Sequence, residues 1–121
     1  MRILVVGAGA IGGIVGGHLT RLGEDVLLVD RSVEHVRAMQ RDGLRIDGPL
    51  GEYRIRVKSA TPEELAGEFD LVLLAVKAQH TADALERIPP HLAPAGFAVS
   101  MQNGLTTKGI MAEIIGADRA M

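Results

Sequence analysis

The chain has 121 residues, of which 47% are hydrophobic and 23% charged, so it is long enough to bury the core of one globular domain. Its formal net charge of −2 gives no electrostatic reason to expect nucleic acid or an anionic membrane as a partner. The absence of cysteine excludes disulfides, thiolate catalysis and Cys-based zinc sites, and it is compatible with the expected cytoplasmic location.

The first 22 residues predict a buried strand over 2–6, a tight turn, and a helix over 10–22. The helix has an apolar stripe at positions 11, 14, 15, 19 and 22, and His18 is expected to pack near it. Only His18 is ionisable between positions 3 and 19, a run about as long as the shortest membrane-spanning helices. Six glycines within this run favour a strand, turn and helix, so we expect no membrane span.

The remaining residues alternate between strands and helices. The predicted elements are a strand over 26–29, a helix over 32–42, a hairpin within 44–57, a short helix at 61–64, a strand over 71–76, a helix over 81–88, a strand over 97–101 and a helix over 107–115. This order predicts an α/β fold, a Rossmann-type doubly wound and mostly parallel sheet with helices on both faces. Because such a sheet would need a further strand after Met121, residues 1–121 are expected to be one dinucleotide-binding domain, apparently truncated.

The segment GAGAIGG fits the pattern G-x-G-x-x-G between a strand and a helix. Gly7 would allow the tight turn, Gly9 the approach of a pyrophosphate, and Gly12 the close packing of the helix on the strand. The helix N-terminus would offer free N–H groups to the phosphates. A turn that only packs is the alternative. The predicted cofactor-binding residues of this segment are Gly7, Ala8, Gly9, Ala10, Ile11 and Gly12.

The cofactor choice rests on Asp30 and Arg31, which follow the second predicted strand. A carboxylate at this position accepts hydrogen bonds from the adenosine ribose of NAD and repels the 2′-phosphate of NADP. Arg31 is suited to bind that phosphate with two hydrogen bonds. We favour NADP slightly, because Asp30 can turn toward Arg31 and be partly neutralised, and we keep NAD as the alternative.

Two further polar residues, Lys77 and Asn103, follow predicted buried strands. Ligands of open α/β sheets bind at the carboxyl ends of the strands, where a lysine can hold a carboxylate and an asparagine amide a carbonyl or a hydroxyl. A solvated lysine and a simple Asn-Gly turn are the alternatives. The four histidines contain no helical pair spaced for a metal ion, so no metal site is expected.

Over nearly its whole length the sequence resembles the N-terminal domain of ketopantoate reductases (2-dehydropantoate 2-reductases). The resemblance is carried by RILVVGAGAIGG, DGLRI, LVLLAVKA around Lys77, and SMQNGL around Asn103. It implies reduction of the 2-keto acid 2-dehydropantoate by NADPH, in pantothenate biosynthesis. It also implies that Lys77 and Asn103 are catalytic and cofactor-binding residues in the cleft between cofactor and substrate, and that Arg31 contacts the NADP 2′-phosphate.

The resemblance leaves several points open. Asp30 stands where the family often has an uncharged residue, and His80 stands where it often has glutamine, so no role carries over to His80. In the family the proton donor is a lysine of a C-terminal helical domain, which is expected to be absent here, so the fragment alone is expected to be nearly inactive. The oligomeric state is also open, with a homodimer as one option.

Two other functions are the alternatives. The first is a nucleotide-sensing regulatory Rossmann module, like those of potassium channels and transporters. The hairpin segment and the pair Lys77 and Asn103 argue against it. The second is the cofactor domain of another hydroxyacid or sugar-nucleotide dehydrogenase, from which the residues by themselves do not distinguish this chain.

Overall fold

The computed structural model describes residues 1–48, 51–76 and 80–101. The strands are β1 (Arg2–Val6), β2 (Asp25–Val29), β3 (Leu44–Gly48), β4 (Gly51–Ile55), β5 (Lys58–Ala60), β6 (Phe69–Leu74) and β7 (Leu92–Ser100). The helices are α1 (Ala10–Arg21), α2 (Val33–Asp42) and α3 (Thr81–Arg87), with single 3-10 turns at Pro62–Glu64 and Pro89–His91. None of the helices in these three ranges is long and apolar enough to cross a membrane.

The main sheet has five strands in the order β5-β2-β1-β6-β7, and every pairing within it is parallel. The chain therefore builds the sheet outward from β1 in one direction, returns, and builds outward from β1 in the other direction. Such a reversal leaves a crevice at the carboxyl ends of the two central strands, here β1 and β6. The predicted doubly wound parallel sheet is confirmed.

Each face of the sheet has its own buried core, because side chains of a strand alternate between faces. On one face, Leu4 and Val6 of β1 join Ile88 after α3. On the other, Ile3 and Val5 of β1 join side chains of α2 and of the β3–β4 hairpin, and α1 packs there as well. The expectation of helices on both faces is thus confirmed, since α3 contributes to the first core and α1 and α2 to the second.

The predicted burial of helix α1 is wrong in part. Three members of the apolar stripe, Ile11, Ile14 and Leu22, are 59%, 48% and 79% exposed, and His18 is also exposed. The buried face of α1 consists instead of Gly12, Gly13, Gly16 and Gly17. A Cβ on Gly16 would lie 2.4 Å from Cδ2 of Leu28, and one on Gly17 would lie 2.9 Å from Cδ1 of Ile46. The helix lies close to its neighbours on this face, where Val15 and Leu19 also pack against the core, whereas Ile11, Ile14 and Leu22 turn outward.

The hairpin is confirmed as a separate antiparallel pair, β3 with β4, that packs on α1. The sequence prediction missed β5, a three-residue strand parallel to β2. It is too short for periodicity to reveal it. Strand β6 begins and ends two residues earlier than predicted, and β7 begins at Leu92 rather than at 97. The helix predicted over 107–115 lies outside the described residues.

Candidate functional site

A cleft of about 770 Å³ opens at the carboxyl ends of β1, β2 and β6. Its floor includes Val6 and Gly7 at the end of β1, Val29 and Asp30 at the end of β2, and Ala75 after β6. This is the crevice expected where the strand order reverses. Both the glycine turn and the acid that follows the second strand therefore border the same cavity.

Gly7 makes the turn from β1 toward α1 with a φ angle of +100°. A Cβ on this residue would lie 2.9 Å from the backbone carbonyl of Ala75, so β1 and the end of β6 approach each other at a point where no side chain fits. The Gly7 amide donates to the carbonyl of Val29 over 2.7 Å, and the Ala75 amide donates to the carbonyl of Val6 over 2.8 Å. These bonds hold the turn on the three central strands.

Gly9 and Gly12 differ sharply in their surroundings. No atom lies within 4 Å of the position that a Cβ on Gly9 would take, and Gly9 borders the cleft. A Cβ on Gly12 would lie 1.8 Å from the carbonyl oxygen of Gly7. Gly12 is therefore required for the contact between helix and turn, whereas the bare backbone of Gly9 faces space that a ligand can fill. Gly9 also precedes the first residue of the 12-residue helix α1, whose first N–H groups have no partner within the helix.

Asp30 connects two backbone turns. Its Oδ1 accepts from the Ala8 amide over 2.9 Å, and its Oδ2 accepts from the Ser32 amide over 3.0 Å. The carboxylate thus links the glycine turn to the start of α2, where Ser32 in turn accepts from the His35 amide. Each carboxylate oxygen has a second lone-pair direction, so Asp30 can still accept a hydrogen bond from a ligand in the cleft.

Arg31 contacts His80 and forms no ion pair with Asp30 in the described ranges. Its Nη1 donates to Nδ1 of His80, the residue that caps the N-terminus of α3. The expectation that Asp30 would turn toward Arg31 is therefore wrong for this conformation, because backbone amides already occupy both oxygens of Asp30. The guanidinium instead lies on the side of the cleft where His80 precedes α3.

The far wall of the cleft consists of the 3-10 turn after β5 and of α3. Pro62, Leu65 and Ala84 offer apolar surface there, and Arg87 lies 3.9 Å from Glu63. Such a wall has the apolar character on which a flat heteroaromatic ring packs. This wall lies next to Asp30 and Arg31 rather than next to the glycine turn between β1 and α1.

An ion pair behind this wall holds the 3-10 turn against α2. The Glu64 carboxylate accepts from both terminal nitrogens of Arg37, at 3.2 and 3.0 Å, and from the Thr61 amide at 3.0 Å. The Arg37 guanidinium, followed by the Thr61 amide, lowers the pKa of Glu64 to about 2. Thr61 and Glu64 also form a capping box at the start of this turn.

The other predicted site residues differ in where the structure places them. Ala8 is buried and Ile11 is exposed, while Ala10 is the first residue of α1. Lys77 and Asn103 lie outside the described residues, so their predicted roles are untested by the geometry. Sequence reasoning missed His35, whose Nε2 donates to the carbonyl of Ala8 over 2.8 Å. Its spacing from the glycine turn carries no signal, because only the fold brings α2 to that turn.

In the described part of the chain, no three His, Asp or Glu side chains form a cluster able to hold a metal ion. The arrangement instead suits an anionic, partly aromatic ligand. It offers a bare glycine backbone at a helix N-terminus, a carboxylate that follows a strand, a guanidinium and an apolar wall.

Comparison with known proteins gives a consistent result. A family model described as ketopantoate reductase PanE/ApbA matches residues 3–121. The 2-dehydropantoate 2-reductase of Pyrococcus abyssi is 38% identical over 118 residues, which are 96% of this chain and 37% of that protein. The crystal structure of 2-dehydropantoate 2-reductase from Geobacter metallireducens has a TM-score of 0.88 at 34% identity, over 99% of this chain and 40% of the other.

A further similar structure is the ternary structure of D-mandelate dehydrogenase with NADH and anilino(oxo)acetate. Its TM-score is 0.92 at 26% identity, over 99% of this chain and 39% of the other. The chain thus spans 37% to 40% of the length of these three proteins.

Proposed function

Because this chain belongs to the ketopantoate reductase PanE/ApbA family, we propose that residues 1–121 form the dinucleotide-binding domain of an oxidoreductase that reduces a 2-keto acid to a 2-hydroxy acid. The proposed substrate is 2-dehydropantoate, on the strength of the names of the relatives, and the proposed cofactor is NADPH. The bound cofactor would supply a hydride to the carbonyl carbon of the substrate, and the carbonyl oxygen would take up a proton.

The single observation that carries the proposal is the open position of Gly9 at the cleft. A pyrophosphate lying over Gly9 would meet no side chain and would face the unpaired N–H groups of α1, which are favourable for its negative charge. The adenosine would then extend toward Asp30 and Arg31, with its base against Leu65 and Ala84. Lys77 and Asn103 are proposed to contact the substrate carboxylate and the reacting carbonyl or nicotinamide ribose, as the resemblance implies.

The choice of NADPH over NADH rests on Arg31. Its guanidinium borders the cleft, is exposed, and is not neutralised by Asp30, so it is available to a 2′-phosphate. Asp30 would favour NADH by accepting hydrogen bonds from the ribose hydroxyls. Only its remaining lone pairs can do so, because backbone amides already donate to both of its oxygens. These contacts favour NADPH slightly.

A second candidate is the NADH-dependent reduction of a different 2-keto acid. D-mandelate dehydrogenase, whose structure holds NADH, superposes on this chain with a TM-score of 0.92. A carboxylate after β2 fits that cofactor as well. Family membership favours both candidates over a regulatory nucleotide sensor.

The proposal is tested by the variant Gly9→Val, with Gly13→Ala as a control. Valine at position 9 would extend into the space over the turn, and its Cβ would have no neighbouring atom within 4 Å, so we expect a folded variant that has lost binding of both NADPH and NADH. A methyl group on Gly13 would meet only ordinary contacts, the nearest at 3.4 Å from the carbonyl oxygen of Ala8. The control should therefore bind normally in a calorimetric titration.

Two outcomes would contradict the proposal. The first is a wild-type protein that gives no heat and no thermal shift with millimolar NADPH and NADH. The second is a Gly9→Val variant with unchanged affinity, which would remove the role assigned to the turn. Oxidation of NADPH in the presence of 2-dehydropantoate, compared with other 2-keto acids under NADH, then separates the two candidate functions.

A further inference from the structure

His80 is the one histidine that borders the cleft in the described part of the chain, and it contacts Arg31. Since a guanidinium only donates hydrogen bonds, Nδ1 of His80 has to be the acceptor, and the ring proton then lies on Nε2. This contact exists only with a neutral imidazole. Protonation would place a hydrogen on Nδ1 and a positive charge directly against the guanidinium.

The cleft carries an excess of negative groups around this pair. Four carboxylates and two guanidinium groups border it: Asp30, Glu63, Asp83, Glu86, Arg31 and Arg87. Arg87 already faces Glu63. While His80 is neutral, Arg31 is therefore the only cation among the described residues of the cleft that has no carboxylate partner. An additional phosphate that enters beside Arg31 meets a surface that is short of positive charge.

We propose that His80 is a proton-dependent specificity residue for the 2′-phosphate of NADPH. Nδ1 of His80 accepts from Arg31 and positions the guanidinium at the edge of the cleft. When the phosphate binds, Arg31 donates to its oxygens, and His80 takes a proton from solvent on Nδ1 and becomes a second cation beside it. The inference rests on the proposed function, since it concerns the ribose end of the same cofactor.

The consequence is a preference for NADPH over NADH that grows as the pH falls through the range in which histidine gains its charge, between about pH 8 and 5. NADH lacks the phosphate and should show little of this dependence. An ionic hydrogen bond gained by protonation corresponds to about a tenfold gain in affinity. The 2′-phosphate itself also titrates near pH 6, so a reference protein is needed to subtract its contribution.

The variant His80→Gln supplies this reference, because its side-chain oxygen can still accept from Arg31 but cannot take up a proton. Dissociation constants of NADPH and NADH are measured for both proteins between pH 5.5 and 8.5. The ratio of the NADH constant to the NADPH constant should rise toward low pH about tenfold more in the wild type than in His80→Gln. Arg31→Ala should lower this ratio at every pH.

Identical pH profiles of the ratio in wild type and His80→Gln would overturn the role of His80 while leaving the proposed function intact. Loss of both cofactors from the wild type would overturn both. If the variant does not fold, the inference is tested on the wild type alone by nuclear magnetic resonance. The midpoint of the His80 imidazole titration should move to higher pH with saturating NADPH but not with NADH, and an equal midpoint in both complexes would refute the inference.

Discussion

Replacing Gly12 with alanine tests whether the contact between α1 and the glycine turn is as close as the structure has it. The new Cβ would lie 1.8 Å from the carbonyl oxygen of Gly7, far inside the 3.4 Å at which ordinary contact begins. Gly7 cannot move away easily, because the backbone of Ala75 already lies 2.9 Å from where its own Cβ would be. The helix must therefore shift outward from the sheet.

The expected cost can be estimated from two opposing effects. Adding a methyl group to a packed region costs about 1–3 kcal/mol and occasionally more, and a clash with a backbone oxygen belongs at or above the upper end. Alanine gains up to about 1 kcal/mol over glycine in a helix. The net loss in the free energy of unfolding is thus about 2 kcal/mol or more, equivalent to about 8 °C in Tm for a domain of this size.

The matched control is Gly13→Ala, one residue further along the same helix. Its Cβ would meet Cδ1 of Leu44 at 3.7 Å and the Ala8 carbonyl oxygen at 3.4 Å, both ordinary contacts. Only the gain in helix propensity remains, so Tm should stay constant or rise. Thermal unfolding of the three proteins is followed by circular dichroism. A Gly12→Ala protein as stable as Gly13→Ala would refute the close contact.

Three further predictions concern cofactor, pH and substrate. Arg31→Ala is expected to weaken NADPH binding about tenfold and NADH binding little, and calorimetric affinities that favour NADH in both proteins would contradict it. Because the pKa of Glu64 falls from 4.5 to about 2 through Arg37, its stabilising contribution is complete above pH 4.5 and is lost as the pH falls toward 2. In urea unfolding, Glu64→Gln should therefore lose less stability than the wild type between pH 5 and pH 2.5, and an equal loss would argue against the ion pair. Lys77→Ala should abolish binding of 2-dehydropantoate to the NADPH complex while NADPH itself still binds, whereas unchanged substrate affinity would remove Lys77 from the site.

Sequence reasoning determined the elements that have a strong local signal. The β-branched run of β1 and the glycine turn each occupy consecutive residues, and local patterns of this kind predict the chain order of strands and helices. The alternation then predicts the parallel sheet with its right-handed crossovers, and it predicts the crevice at the strand ends. The same reasoning assigns Asp30 and Arg31 to the site, since they are the two residues that follow β2.

Tertiary structure decided what depends on residues that are far apart in the chain. The exposure of Ile11 and Ile14 interrupts the apparent apolar stripe of α1, because the close approach of Leu28 and Ile46 places the glycine face of the helix against the core. The bonds of Asp30 to the glycine turn, 22 positions away, and of Arg31 to His80, 49 positions away, follow from the order of the strands and from no local pattern. The short strand β5 likewise exists because β2 offers it a parallel neighbour, since three residues have too little propensity of their own to form a strand.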